Sequence, residues 1–357
     1  MKVRHPGRPP LVPVLVGYGR AGRDLHHHSL RTLAEEGALA TGQVLVVDPV
    51  RRDDLPHDAR WAPDLAAAVA ALPEPDRGVF HLTMPAGQRL HALRQLLAAG
   101  ARRFIVEKPL APSAHEARQL LALADSAGAQ LIPMSVWPSS AVTQEVVGML
   151  RAGRVGRPRS LRIEQHKPRF RRGLDDAAHS SALQIEMPHQ VLLALYLCGT
   201  PCRLTAGDVW PLPLPDALVP ALGGARIGLV HGGPEDAEVT STLVSDLTSP
   251  VRMRRLRLTG TEGEIVAHYP TGGDDPYGQL QVVGEESRRI IPDAPLTRLI
   301  EDAYRFHLGE GPRPPGTDPA LHLAAMDLLD AAKAAAHARG AAMETPVPHR
   351  SREAESC

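Results

Sequence analysis

Little in this sequence speaks for a membrane, a nucleic acid or a disulfide framework. Charge is in excess on neither side: 40 Lys and Arg face 40 Asp and Glu over 357 residues, and a formal net charge of +0 gives no electrostatic case for nucleic acid or an anionic membrane as a partner. No apolar run reaches the roughly 18 residues of a membrane span. Met1-Lys2-Val3-Arg4-His5-Pro6 lacks the apolar core of a signal peptide. The three cysteines, Cys198, Cys202 and Cys357, have neither zinc spacing nor the even count of a disulfide set. A reducing compartment and a cytoplasmic location are expected. Lysine is nearly absent too, confined to Lys2, Lys108, Lys167 and Lys333, so a lysine inside a motif draws notice.

What is present is the composition of a globular chain, 43% hydrophobic and 22% charged, long enough for two domains that each bury a core. After a basic, Pro/Gly-rich lead-in over residues 1–10, Val12-Pro13-Val14-Leu15-Val16 reads as a buried parallel strand. It runs into Gly17-Tyr18-Gly19-Arg20-Ala21-Gly22 and a helix to about Gly37. This is GxGxxG between a strand and a helix, the context in which it binds a dinucleotide. Gly17 permits the tight turn, Gly19 lets backbone N–H groups approach a pyrophosphate, and Gly22 allows close strand–helix packing. The next strand, Gln43 to Val47, ends on Asp48. A carboxylate there accepts ribose hydroxyls and favours NAD over NADP, whereas Arg51 and Arg52 close behind could meet a 2′-phosphate. The alternative role for Asp48 is to cap the turn before Pro49. His26-His27-His28 cannot converge on one metal ion, because consecutive helical positions spread over most of a turn; no metal is expected.

A third strand, Gly78 to Leu82, exits at Thr83-Met84-Pro85, where a doubly wound sheet collects its ligand, or where an ordinary turn enters the helix Gln88 to Ala99. The strand Arg103 to Val106 leads to Glu107-Lys108-Pro109. Ser113-Ala114-His115-Glu116 is a capping box for a helix that Gly128 stops, and Gln130 to Val136 completes the Rossmann-type half. Lys108 should therefore face the seam between two domains, where a lysine can donate a hydrogen bond or exchange a proton. Past the helix Val142 to Leu150, short strands succeed one another at Ser160–Glu164, Leu204–Val209, Ala225–Val230, Glu238–Ser245, Met253–Thr259, Glu264–His268, Gly278–Val283 and Arg288–Ile291, the pattern of an antiparallel sheet. One helix interrupts them, from near Met187 to Cys198, with Pro188 in its first turn. Helices Leu296 to Leu308 and Pro319 to Arg339, the latter stopped by Gly340, close the chain before a tail.

Gly17, Gly19, Gly22, Asp48, Thr83-Met84-Pro85 and above all Glu107-Lys108-Pro109 before a capped helix resemble the Gfo/Idh/MocA family, sugar and cyclitol oxidoreductases. Gly153-Arg154-Val155-Gly156 and Thr259-Gly260-Thr261-Glu262-Gly263 are similar to its later motifs, so the likeness spans roughly residues 12 to 342. The resemblance implies a doubly wound Rossmann domain over residues 1–140. An α+β domain with a large, mostly antiparallel open sheet over 141–342 would bind substrate and join subunits into a homodimer or homotetramer; a tail would follow over 343–357. It further implies NAD, with NADP possible, on Gly17, Tyr18, Gly19, Arg20, Ala21, Gly22, Asp48, Thr83, Met84, Pro85, Glu107 and Lys108. Its substrate would be a sugar, aminosugar or cyclitol, with Lys108 on the reacting oxygen and His189 as the acid/base. The sequence departs from the family where Asp-x-Gly-x-His and a later Asp are usual: Ile185 and Leu192 stand there, and Glu186 could supply a carboxylate beside His189. Trp137 falls near a family aromatic. Lys167 and Arg169, alternating within Gln165 to Arg172, form a clamp for a phosphate or carboxylate of the substrate, or else a solvated loop. The missing aspartates leave an imine or enone reductase open, and a non-catalytic nucleotide sensor is the reading from a different class.

Overall fold

The computed structural model describes residues 10–39, 43–170, 181–232, 237–272 and 275–344. The lead-in before residue 10, Arg171, Arg172 and the tail from residue 345 lie outside the described residues.

Two sheets set the architecture. The first contains β1 (Val12–Val16), β2 (Val44–Val47), β3 (Ala59–Ala62), β4 (Gly78–Leu82), β5 (Arg103–Val106) and β6 (Gln130–Pro133), all parallel in the order β3-β2-β1-β4-β5-β6. β1, β2 and β4 are almost wholly buried, as strands with helices on both faces must be, which explains their unbroken Val/Leu runs. The sequence reading missed β3 and the short helix α2 (Leu65–Ala70), so its third strand is the fourth. β3 is a four-residue edge strand with a half-exposed pattern, too short and too polar (Arg60, Trp61) to show a period.

The helix after the glycine loop begins as a π-helical segment, Ala21–His27, and continues as α1 (His28–Glu35). π-Winding is a feature of functional sites that no sequence period announces. α3 (Ala86–Ala98) and α4 (Ala114–Ser126) follow. Of the capping box, the N-cap half is present: the Ser113 hydroxyl accepts from the Glu116 amide at 3.3 Å. α5 (Ala141–Arg151) is capped by Ser140 and leads into the second sheet.

That sheet holds eight strands: β7 (Pro158–His166), β8 (Cys202–Pro213), β9 (Leu218–His231), β10 (Val239–Asp246), β11 (Met253–Gly260), β12 (Glu264–His268), β13 (Tyr277–Val282) and β14 (Arg289–Pro292). Their order is β14-β13-β12-β11-β7-β10-β9-β8, antiparallel throughout except for β7 against β10. All eight strand expectations match an element, several of them longer than expected. α6 (Met187–Cys198) starts where Pro188 foretold and packs its apolar body on the inner face. The opposite face carries ion pairs, among them Glu164 with Arg162 and Arg255, and Arg257 with Glu264. The two later sequence motifs meet: the Arg157 amide donates to the Thr261 hydroxyl at 3.0 Å and the Glu262 amide to the Val155 carbonyl at 3.0 Å.

α7 (Pro295–Leu308) returns to the first sheet, where Leu299, Ile300, Ala303 and Tyr304 join the core around Leu15, Val46 and Ile105. α8 (Pro319–Glu344) spans both cores, with Met326 in one and Ala325, Leu328, Leu329 and Ala332 in the other. It runs through Gly340 instead of stopping there: one interior glycine costs only about 1 kcal/mol of helix propensity. No helix among the described residues is long and apolar enough to cross a membrane.

Candidate active site

At the carboxyl end of β1, Gly17 adopts φ +94°, and a Cβ there would lie 2.8 Å from the Met84 backbone nitrogen. A Cβ on Gly22 would meet the Gly17 carbonyl oxygen at 2.2 Å. Both glycines are thus required by the protein's own packing. Gly19 differs, since no atom lies within 4 Å of a Cβ built there, and its backbone borders open space. Of the three glycines, only this one leaves room for a ligand, and the helix start behind it directs N–H dipoles the same way. Thr83 ties the next strand exit to the glycine loop, its hydroxyl donating to the Gly17 carbonyl at 2.6 Å. Pro85 caps α3.

Asp48 does cap a turn. Its carboxylate accepts from the Tyr18 amide at 2.8 Å and from the Val50 amide at 3.0 Å, so each oxygen already holds a backbone N–H. Beside it, Arg51, Arg52, His57, Arg60 and Trp61 line an open cavity of about 570 Å³. The Arg51 guanidinium stacks over Trp61 at 5.8 Å.

The three consecutive histidines separate, as helical geometry requires. His26 reaches His81 (Nδ1···Nδ1 2.7 Å) and Glu107 (Nε2···Oε1 3.1 Å), and His81 reaches the Tyr304 hydroxyl at 3.0 Å. His27 pairs with the Tyr18 hydroxyl and Asp58. His28 borders the main cavity. The second carboxylate oxygen of Glu107 accepts the Lys108 amide at 2.8 Å. Burial opposes ionisation of Glu107, but the His26 hydrogen bond, with Lys108 and Arg89, brings it down to about 2.

The main cavity, about 640 Å³, opens where the two sheets face each other. Arg20, Ala21 and Ser29 form its glycine-loop wall, and Glu107 and Lys108 its floor. Lys167, Arg169, Glu186, His189 and Arg254 come from the second sheet and the start of α6. The Lys108 ammonium crosses the seam to donate to the Ile185 carbonyl at 3.2 Å. Ile185 and Leu192 are themselves buried in the apolar core. The position of an aspartate is thus met by a backbone oxygen, and the acid on the cavity is Glu186. Burial opposes its ionisation, yet His189, Lys108, Arg254 and Lys167 together hold it below the usual carboxylate range.

Trp137 lies behind His189 rather than on the cavity, its ring parallel to the imidazole at 6.3 Å and stacked on Tyr269 at 5.1 Å. Burial, then Lys108, pushes His189 down to about 4 against the pull of Glu186, so the imidazole is neutral at pH 7 and able to accept a proton. Two residues the sequence reading did not foresee belong here: Arg254, and Arg89 of α3, whose guanidinium donates to carbonyls on both sides of Lys108.

The buried histidines set an acid limit. Burial holds His189 and His322 at about 4 and His307 at about 3, against 6.5 unfolded. Each binds a proton on unfolding but not in the fold, so stability is complete above about pH 6.5 and falls as pH drops towards 4, by up to about 3 kcal/mol per group. Melting temperature should decline steeply over that window; a flat profile from pH 7 to 4 would refute the assignment.

No protein-family model and no curated protein matches the sequence. Solved structures do. The 3-ketoreductase KijD10 of Actinomadura kijaniata, crystallised with NADP and TDP-benzene, is 17% identical with a TM-score of 0.71 over 92% of this chain and 98% of that one. A Desulfitobacterium hafniense protein put forward as an NADPH-dependent oxidoreductase gives a TM-score of 0.74 at 13% identity over 93% and 97% of the chains. A Klebsiella pneumoniae protein put forward as an oxidoreductase gives 0.71 at 18% over 93% and 94%. At these identities the likeness establishes the fold: a Rossmann layer joined to a large, mostly antiparallel sheet.

Proposed function

We propose that the protein is an NAD(P)-dependent oxidoreductase moving a hydride between nicotinamide and a carbinol or carbonyl carbon of a sugar, aminosugar or cyclitol. The observation that carries the reading is the meeting of Lys108 and His189 in one cavity that also reaches Arg20 and Ala21 beside the glycine loop. Oxidoreductases of the same two-sheet fold, one of them a ketoreductase crystallised with NADP, support it. So does the resemblance to the Gfo/Idh/MocA family.

The open backbone at Gly19, with Tyr18, Arg20 and Ala21, suits a pyrophosphate; Thr83 to Pro85 and Glu107 would border the nicotinamide end. Bound there, the nicotinamide accepts or supplies the hydride. In oxidation, Lys108 hydrogen-bonds the substrate oxygen and neutral His189 takes the carbinol proton, with Glu186 stabilising the imidazolium that forms. In reduction the same steps run backwards: the His189 imidazolium, stabilised by Glu186, returns the proton to the substrate oxygen while Lys108 hydrogen-bonds it. Imine reduction is the second reading, favoured by the burial of Ile185 and Leu192 where the family places acids. A homodimer or homotetramer through the second sheet's polar outer face completes the proposal, with light scattering as its check.

The decisive assay identifies nucleotide bound to the purified protein and then follows reduced-nicotinamide absorbance against sugars and cyclitols. Binding without turnover across a wide panel would favour a sensor. Because Arg51, Arg52 and Arg60 line the cavity beside Asp48, NADPH should serve at least as well as NADH. Arg52→Ala should then raise KM for NADPH about tenfold and leave that for NADH nearly unchanged, the loss of one charge-assisted phosphate contact. Equal effects on both nucleotides would place the 2′-position elsewhere.

A further inference from the structure

The inner face of the second sheet changes character along its length. On β7 and its continuation the inward residues are Leu161, Ile163, Gln165 and Lys167; on antiparallel β11 and the residue before it they are Leu258, Leu256, Arg254 and Arg252. Leu161, Ile163, Leu256 and Leu258 belong to the core beneath α6. Towards the cavity the same two strands present cations. Register puts Arg254 opposite Gln165, so Lys167 and Arg254 are diagonal neighbours on one face, close enough for long side chains to act on one group.

Like charges in adjacent strands destabilise a sheet, and here the pair is partly desolvated. The Lys167 amide donates to the Asp246 carbonyl at 2.9 Å, but its ammonium makes no hydrogen bond or ion pair among the described residues. Arg254 gives one nitrogen to the Pro270 carbonyl at 2.7 Å. Gln165 between them is buried, and neither its amide oxygen nor its nitrogen is hydrogen-bonded among the described residues. Burial pulls Lys167 below its usual range; Glu186 opposes this, and Arg254, Arg169 and Arg252 add to it. A polar, cationic end to an otherwise apolar face departs from good packing, as binding sites do.

We infer that the substrate carries an oxyanion, a carboxylate or a phosphate, seated between the Lys167 ammonium and the Arg254 guanidinium. This rests on the reading of the cavity as the substrate site, and it narrows the class from neutral polyols to sugar or cyclitol acids and phosphates. Glu186 lines the same cavity and is felt by His189 and Lys108 as well as by both cations, so its charge disfavours a negative group beside the reacting carbon and favours the neutral end of the substrate there.

The test is a binding measurement on protein saturated with NADPH, which fills the cofactor's own phosphate sites. Calorimetric titration compares glucose with glucuronate and with glucose 6-phosphate. At least one anionic partner should bind about tenfold or more tightly than glucose, an advantage lost in Lys167→Met and in Arg254→Gln, as expected for a charge-assisted hydrogen bond. The glucuronate and phosphate arms tell the two sources apart. Equal affinity within both pairs, no binding by either anion, or an anion preference surviving Lys167→Met overturns the inference. Lys167 lies at the cavity edge, so its Met variant should fold even if the Arg254 variant, deprived of its bond to Pro270, does not. Turnover is not read, so a failed dehydrogenase assay and a failed oxyanion site remain separate results.

Discussion

Lys108→Met should lower kcat by about 10² to 10³, the usual worth of one positioned hydrogen-bond donor to an oxygen on which charge develops, while nucleotide affinity changes little. Methionine keeps the length and apolar stem of lysine but removes the charge and every donor. The loop itself should survive, because the carboxylate of Glu107 holds residue 108 by its backbone amide, a bond the substitution leaves untouched. What is lost is the reach across the seam to the Ile185 carbonyl and to any oxygen placed beside His189. A second readout follows from electrostatics. Burial and then the Lys108 charge hold the His189 imidazole at about 4, so removing the charge lets it rise. In oxidation the residual activity of Lys108→Met should therefore lose its base form at higher pH than the parent does, with the acid limb of the rate profile moving towards neutrality. Undiminished kcat would remove Lys108 from the chemistry. A collapse of nucleotide affinity would mean that it supports the cofactor instead.

Features that depend on neighbours in sequence were legible, and those that depend on distant partners were not. The strand and glycine loop at Val12 to Gly22, the capping box at Ser113, the start of α6 at Pro188 and the eight strands of the second sheet each follow from local pattern and turn chemistry. Lys108 was legible for the same reason, a strand end followed by a capped helix. Nothing local distinguishes His26 from His27 and His28, since its partners His81 and Glu107 stand 55 and 81 positions away. Arg254 sits in the run Arg252-Met253-Arg254-Arg255, in which alternation sends Arg255 outward to Glu164 and Arg254 inward to the cavity. Only the pairing of β11 with β7 says which is which. Asp48 shows what a motif leaves out: the residue ends the second strand as the pattern requires, and its carboxylate also holds the amides of Tyr18 and Val50, which no local spacing announces.

Arg89 is the sharpest case, and its removal should have the second large effect. In sequence it is one arginine on a helix, indistinguishable from a solvated one. In the fold it is 3% exposed. Its Nε and Nη2 donate to the Met84 carbonyl at 3.1 and 2.9 Å, and its Nη1 donates to the carbonyls of Glu107 and Pro109. One guanidinium thus clamps the exit of β4 to the loop on either side of Lys108. Burial lowers its pKa to about 10, with Glu107 opposing, so the cation persists at pH 7. Arg89→Met would take the guanidinium donors from three carbonyls of half-buried residues, at about 1–3 kcal/mol for each one that water does not reach, and a loss of a few kcal/mol in total is expected. Arg89→Lys, with the charge but not the fork, should recover only part of it. The functional prediction is separate from the stability one. At a temperature where Arg89→Met is fully folded, kcat should still fall by at least about tenfold, since an ångström of misplacement at a reacting group is enough. Because Arg89 acts by placing Lys108, adding Arg89→Met to Lys108→Met should cost little more in kcat than Lys108→Met alone. Additive losses would show that Arg89 serves only the fold or the cofactor, and an unchanged kcat in the folded single variant would show that the loop holds Lys108 without it.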